Sequence, residues 1–217
     1  MRAPRHLGIP AALLASLLAL GGAATAQDAG AASRDFTAEE RQRLDAGELV
    51  TRPMTRRRGS LRLIGGSSWQ VVERSPSSTW RALCDPRSYR SMLPAAEDAR
   101  VVAHRPGQRV VRVSHAAGFV RASYHLRMRY DHERHDIAFR LDEGRPNDLR
   151  AAWGFIGVAP YDGDPNRSLV SYGVMADVGG GVLGGVMRGA IHDWMLRVPS
   201  TIRGYLHGSA RHLYLDE

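Results

Sequence analysis

The sequence predicts an α+β fold: a curved antiparallel sheet of about six to seven strands packed against one long C-terminal helix. Three observations carry this. Between residues 99 and 177, short β-rich runs are separated by turn-like groups such as RPGQ, DHERH, DEGRPND and YDGDPNR. One run alternates cleanly, with Tyr124, Leu126, Met128 and Tyr130 facing one way and His125, Arg127, Arg129 and Asp131 the other. That is the pattern of an antiparallel strand with one buried and one wet face. Finally, at about 100° per residue, Leu183, Met187, Ile191, Trp194, Val198, Ile202 and Tyr205 fall on one stripe of a helix over residues 182–207.

The elements follow in order. Arg2 and Arg5 precede the apolar stretch AALLASLLAL, and Ala24-Thr25-Ala26 forms a small-residue cleavage site. This is the pattern of a signal peptide over residues 1–26, removed before Gln27 to leave a periplasmic or secreted protein. The apolar stretch falls well short of the roughly 20 residues a spanning helix requires. Residues 27–60 read as a linker with a short helix, opened by a capping box at Thr37 and Glu40 and ending near Gly47. Arg52, Arg56, Arg57 and Arg58 then form a charged connector. The main domain spans residues 61–210, with a tail over 211–217. Its first strand, LRLIGGSSWQVVE, bends at Gly65-Gly66. Ser75-Pro76 opens a helix carrying Trp80, Ala82 and Leu83, and Asp85-Pro86 begins a second short helix that Pro94 ends. Strands are expected over 99–105, 108–115, 122–131, 136–142, 151–158 and 168–177. Pro199 lies inside the final helical pattern and should kink it at or just before Val198.

Composition excludes several chemistries. The 217 residues contain no lysine, so all 30 basic residues are arginine, and Schiff-base, pyridoxal-phosphate and P-loop lysines are ruled out. The formal net charge of +8, lowered by two when Arg2 and Arg5 leave with the leader, favours anionic partners. For an exported protein these are a lipid headgroup surface or an acidic polymer rather than nucleic acid. Cys84 is the single cysteine, so the chain holds no internal disulfide. It reads as a small buried hydrophobe, with pairing between chains as the alternative.

Gly179, Gly181 and Gly184 show the G-x-G-x-x-G spacing of a dinucleotide cradle. That cradle needs a following parallel strand and an acidic residue about 20 positions on. Here the helix is the last element and residues 197–204 read RVPSTIRG. Gly179, Gly180, Gly181, Gly184 and Gly185 are instead read as a lid or hinge. His132-Glu133-Arg134-His135 is one residue short of H-E-x-x-H and sits in a hairpin turn, so no metal site is assigned. GGSSW and HGSAR each lack the second glycine of a G-x-S-x-G elbow. Carboxylates concentrate in turns, and no catalytic residue or cofactor is assigned. His192-Asp193 and His125 read as solvated, while His115, shortly before Gly118, is placed to enter a cavity or to be buried neutral.

The stretch from Ser75 to Pro94 resembles the opening motif of the START-like (SRPBCC) superfamily of polyketide cyclases, coenzyme Q-binding proteins and lipid-transfer domains. The positions that carry the likeness are Trp80, Leu83-Cys84-Asp85, Tyr89 and Pro94. The glycine-rich turn into a helix with Pro199 and Arg203 is similar to that family's ending. The resemblance covers roughly residues 61–208 and implies the helix-grip fold, with a cavity for an apolar ligand between sheet and C-terminal helix. Cavity candidates are Tyr124, Leu126, Met128, Phe139, Trp153, Phe155 and Tyr172 from the sheet, and Met187, Ile191 and Trp194 from the helix. The implied function is a non-catalytic binding or carrier protein for a lipid or other hydrophobic small molecule. The alternative is a polyketide cyclase or dehydrase-like enzyme using the same cavity. The arginines from Arg52 to Arg62 suggest an anionic membrane surface as a further partner. Oligomeric state is left open.

Overall fold

The computed structural model describes residues 36–117, 120–180 and 188–216. Eight strands form one antiparallel sheet: β1 (Val50–Arg58), β2 (Leu61–Val72), β3 (Ala96–Arg105), β4 (Gln108–Ala117), β5 (Val120–Asp131), β6 (Asp136–Leu141), β7 (Ala151–Tyr161) and β8 (Asp164–Asp177). Their spatial order is β1-β2-β8-β7-β6-β5-β4-β3. The helices are α1 (Ala38–Asp45), α2 (Pro76–Cys84), α3 (Tyr89–Met92), α4 (Arg188–Met195) and α5 (Val198–His207), with a single 3₁₀ turn at Pro86–Ser88. The chain thus adopts the expected α+β helix-grip architecture, with a strand count slightly above the six to seven anticipated.

The extra strand is β1. Residues 50–58 read as a charged connector because arginines line both faces, yet they pair along their whole length with β2, from Val50 opposite Trp69 to Arg58 opposite Leu61. An edge strand tolerates polar side chains on both sides because only one edge is paired. At the bend foreseen in β2, Gly65 and Gly66 take φ of 153° and 136°. A Cβ on Gly65 would lie 1.9 Å from the Val174 carbonyl oxygen, and one on Gly66 2.2 Å from that of Arg52. Only glycine permits this approach of three strands.

The final helix is two helices. Trp194 and Arg197 close a turn between them, and Pro199 sits in the first turn of α5, where its missing N–H costs nothing. Leu196, Val198, Ile202 and Leu206 are buried with Val170, Tyr172 and Val174 of β8 in the main core. Cys84 is partly buried against that core, and its burial pushes the thiol up to about 11.

On the convex side, α1 seals a second cluster of Phe36, Leu44, Val50, Trp69, Val71, Tyr161 and Leu169. The capping box is present: Glu40 N–H donates to Thr37 Oγ1 at 3.1 Å and Thr37 N–H to Glu40 Oε2 at 2.9 Å. The same carboxylate receives Arg52 at 2.9 and 2.7 Å, while the Arg52 guanidinium lies over the Phe36 and Trp69 rings. Hydrogen bonding from Arg52, then from the Thr37 amide, lowers Glu40 from 4.5 to about 2. A depressed carboxylate supplies stability above its unfolded value and loses it as pH falls through the folded one. The protection of amides across residues 36–50, measured against their intrinsic exchange rates, should therefore be constant above about pH 5 and fall between pH 4.5 and 2; Glu40→Gln should show low protection with little of that pH dependence.

Candidate functional site

Helices α2 to α5 cover the concave face of the sheet incompletely. A cavity of about 340 Å³ remains between them, at the small end of the roughly 300–1,000 Å³ range of ligand pockets. The inward-facing positions of β5 and β6, set by the alternation read in the sequence, deliver Tyr124, Leu126, Met128 and Phe139 to its wall, and β8 delivers Tyr172. From α4, Ile191 and Trp194 close the other side. Met187, Gly181, Gly184 and Gly185 lie outside the described residues. Gly179 is described, with φ 75° and its amide donating to Asp177 Oδ1 at 2.8 Å; Gly180 next to it is exposed.

Trp153 and Phe155 are not cavity residues. In β7 the inward positions are Ala152, Gly154 and Ile156, and the two aromatics face the convex side, where Trp153 pairs with Met175 and Phe155 with Gly173. Both faces of this strand are apolar, so alternation gives no direction. Counting back from the turn also fails, because the register shifts at Pro160 and Tyr161. Gly154 makes room inside: a Cβ there would sit 2.5 Å from the Phe139 ring.

Sequence reasoning missed most of the remaining wall. Leu83, Tyr89 and Met92 come from α2 and α3, and Val111 and Val113 from β4. Alanines 95, 122, 152, 176 and 190 also line the cavity, and their small size leaves the space open. A run of alanines inside strands was the available signal.

The polar groups on the wall are few and uncharged. His115 Nδ1 lies 3.1 Å from the Pro94 carbonyl oxygen and Nε2 2.8 Å from the Tyr124 hydroxyl. A carbonyl only accepts, so Nδ1 carries the proton and Nε2 accepts from Tyr124. Burial holds His115 below the ordinary histidine value, and Trp194 packs edge-on against the imidazole at 4.6 Å. Burial also pushes the Tyr124 and Tyr172 phenols well above their ordinary range. Tyr172 stacks on Phe139 at 6.0 Å, and its hydroxyl has no hydrogen-bond partner among the described residues. Tyr89 is held differently, between Tyr130 Oη at 2.5 Å and Arg109 Nη1 at 2.7 Å. Among the described residues lining the cavity there is no Asp, Glu or Arg.

Other histidines have structural partners. His192, read as solvated, places Nε2 2.5 Å from the Gly65 carbonyl oxygen and ties α4 to β2. His125 Nδ1 lies 3.0 Å from the Pro146 carbonyl. His132 accepts from the Trp80 indole at 3.3 Å, and the Trp80 ring stacks on His135. Among the described residues, no group of three His, Cys, Asp or Glu side chains is placed to hold a metal ion.

An apolar cavity between a curved sheet and its C-terminal helices defines the helix-grip architecture. A family model described as polyketide cyclase / dehydrase and lipid transport matches residues 72–198, more than half of the chain, and the protein belongs to that family. Among curated protein sequences none matches the chain. Solved structures share the fold. The protein TTHA0849 of Thermus thermophilus is 15% identical with a TM-score of 0.57, covering 66% of this chain and 97% of its own. The Zhui aromatase/cyclase of Streptomyces sp. R1128 is 16% identical with a TM-score of 0.51, over 68% and 98% of the two chains. A STAR-related lipid transfer protein of Xanthomonas axonopodis is 11% identical with a TM-score of 0.54, over 71% and 98%.

A void and a packed core respond differently to added volume. Ala176→Leu fills unoccupied space, so the melting temperature should hold or rise, whereas overpacking a filled core costs about 1–3 kcal/mol. Calorimetry of the variant against the parent decides between them.

Proposed function

We propose that the protein is an exported binding or carrier protein for an uncharged hydrophobic small molecule or lipid, held between the sheet and α4–α5 without covalent chemistry. The observation that carries this is the wall itself: among the described residues it presents aliphatic and aromatic side chains and neutral hydroxyl, imidazole and indole groups, and no charged group. Water inside such walls forgoes hydrogen bonds, so an apolar occupant is favoured. A carboxylate or phosphate placed deep in it would be desolvated without a counter-charge. The leader over residues 1–26 supports action in the periplasm or outside the cell, and the family's description as a lipid-transport group supports carriage.

The Tyr172 hydroxyl supports a ligand with an acceptor oxygen. The neutral ketone 2-acetylnaphthalene should bind more tightly than the hydrocarbon 2-ethylnaphthalene, and the anion 1-anilinonaphthalene-8-sulfonate least well. Tyr172→Phe should weaken the ketone about fivefold, the worth of one hydrogen bond, and leave the hydrocarbon unchanged. Calorimetric titration reads all three. Absence of binding by either neutral probe would remove the carrier reading, and equal losses for ketone and hydrocarbon would assign Tyr172 to packing alone.

The His115–Tyr124 pair favours a second reading, a cyclase or dehydrase-like enzyme. The Tyr124 oxygen can take a proton from carbon next to a carbonyl while its own proton passes to His115 Nε2, and the pair can return one to the enolate oxygen. On this reading turnover of a β-diketone probe appears as pH rises through the depressed His115 value, with its midpoint below the ordinary value of about 6.5, and is lost in His115→Phe while 2-acetylnaphthalene binding survives. A variant with undiminished turnover would exclude His115 as the proton acceptor.

A further inference from the structure

The convex face carries an apolar strip that nothing described covers. Register places Met54, Gly65, Met175 and Trp153 side by side across β1, β2, β8 and β7. In the adjoining row, Phe155 lies with its ring over Gly173. Met54 is 54% exposed, and Met175, Trp153 and Phe155 are partly exposed. The same rows continue into arginine: Trp153 pairs with Arg140, and Ala138 stands between Phe155 and Arg129. On the other flank, Arg56 and Arg58 share the face with Met54 at alternate positions of β1.

The carboxylates on this face are engaged, Asp131 beside Arg129 by the Glu133 and Arg134 amides at the β5–β6 turn, and its unpaired exposed charges are arginines. Arg56, Arg58, Arg129 and Arg140 are exposed, and among the described residues none has an acidic partner. The carboxylates nearest in the register are engaged: Asp177 receives the Arg62 amide and faces Arg150, and Asp142 is paired with Arg127 and Arg145. An exposed apolar patch rimmed by unpaired arginines is an interaction surface. Tryptophan and methionine between arginines match the boundary between headgroup phosphates and acyl chains. Nucleic acid fits less well, because the most exposed apolar side chain of the strip, Met54, is a thioether with no base-stacking plane.

We propose that this convex face docks on an anionic membrane surface, with Met54, Met175, Trp153 and Phe155 entering the headgroup layer and the four arginines meeting lipid phosphates. It stands apart from the cavity reading, and Arg150 links the two regions. Its guanidinium reaches the Ser60 carbonyl and hydroxyl at the β1–β2 turn, both at 3.5 Å, and its side-chain carbons lie alongside Gly179. Docking would therefore bring the start of the glycine segment next to lipid.

The test is cosedimentation of the full chain with vesicles of about 30% phosphatidylglycerol in phosphatidylcholine, against pure phosphatidylcholine, in about 0.1 and 0.5 M salt. Binding is expected to the anionic vesicles only and to fall at high salt. The triple variant Arg56→Ala, Arg58→Ala, Arg140→Ala should bind about 100-fold more weakly, about fivefold per arginine. Met54→Gln, at an exposed position and without a charge change, should lose about fivefold through lost burial. Both variants should bind 2-acetylnaphthalene as the parent does, so failure here is separable from failure of the cavity reading. Equal binding to both vesicle types, a triple variant that binds like the parent, or no vesicle binding with concentration-dependent self-association or single-stranded DNA binding instead would each overturn the proposal.

Discussion

Where β1, β2 and β8 lie together, their backbones approach so closely that neither Gly65 nor Gly66 has room for a Cβ. Glycine pairs of this kind let a sheet bend instead of lying flat, and the bend creates a concave face that must be covered. The cover is made of short pieces: α4 and α5 meet at a break around residues 196–197, and α3 is a single turn. Side chains from so broken a layer reach the sheet at its ends, through Ile202 on one side and Trp194 on the other, and leave the middle open. Alanines at 122, 152 and 176 on the strands keep it open from below. His192 bonds the carbonyl of Gly65 itself, so the bend in the sheet also fixes where α4 begins its descent over the cavity.

What was legible in the sequence follows from which faces differ in polarity. In β5 every second residue is charged or polar, and parity could be assigned without a structure; Tyr124, Leu126 and Met128 all line the cavity. The stretch 75–94 was legible for another reason, since Ser75 and Asp85 cap successive helices through their own side chains. Strand β1 was hidden because an edge strand needs neither face buried, and its arginines gave no alternation. Trp153 and Phe155 were misassigned because β7 is apolar on both faces and its register shifts at Pro160. Size suggested a cavity wall, where pairing dictates the opposite side. The wall from α2, α3 and β4 is a product of topology, since residues 83–113 and 190–202 meet only after the sheet has formed.

The similar structures share the fold of this chain and little of its sequence. Structures only 11% to 16% identical to this chain superpose over about two thirds of it, and they include both an aromatase/cyclase and a lipid transfer protein. The shared part is the curved sheet and its helical cover, and function resides in whichever polar groups the wall presents. In this chain they sort into two kinds. Tyr89 is committed to Tyr130 and Arg109, so its hydroxyl serves the protein. Tyr172 and the His115–Tyr124 pair keep hydrogen-bonding capacity toward the void: the Tyr124 oxygen donates to His115 and still has lone pairs to accept. A ligand hydroxyl could give to Tyr124 while a ligand carbonyl takes from Tyr172, so the wall can orient a molecule end to end without any charge.

The convex face is divided for a geometric reason. Helix α1 has eight residues and is therefore about 12 Å long at about 1.5 Å per residue. Neighbouring strands are about 4.8 Å apart, so α1 shelters only one side of the eight-stranded sheet. It covers Trp69 and Val71 of β2 and reaches Tyr161 of β7 and Leu169 of β8 at their ends. Arg52 stands at the border, with its guanidinium on Phe36 and Trp69 and its charge answered by Glu40. Beyond Arg52 the next residue on that face of β1 is Met54, and from there the surface is open. A longer helix would have buried Met54, Met175 and Trp153 as it buries Trp69. With α1 as short as it is, the arginines along β1, β5 and β6 are what keep this half of the sheet compatible with water.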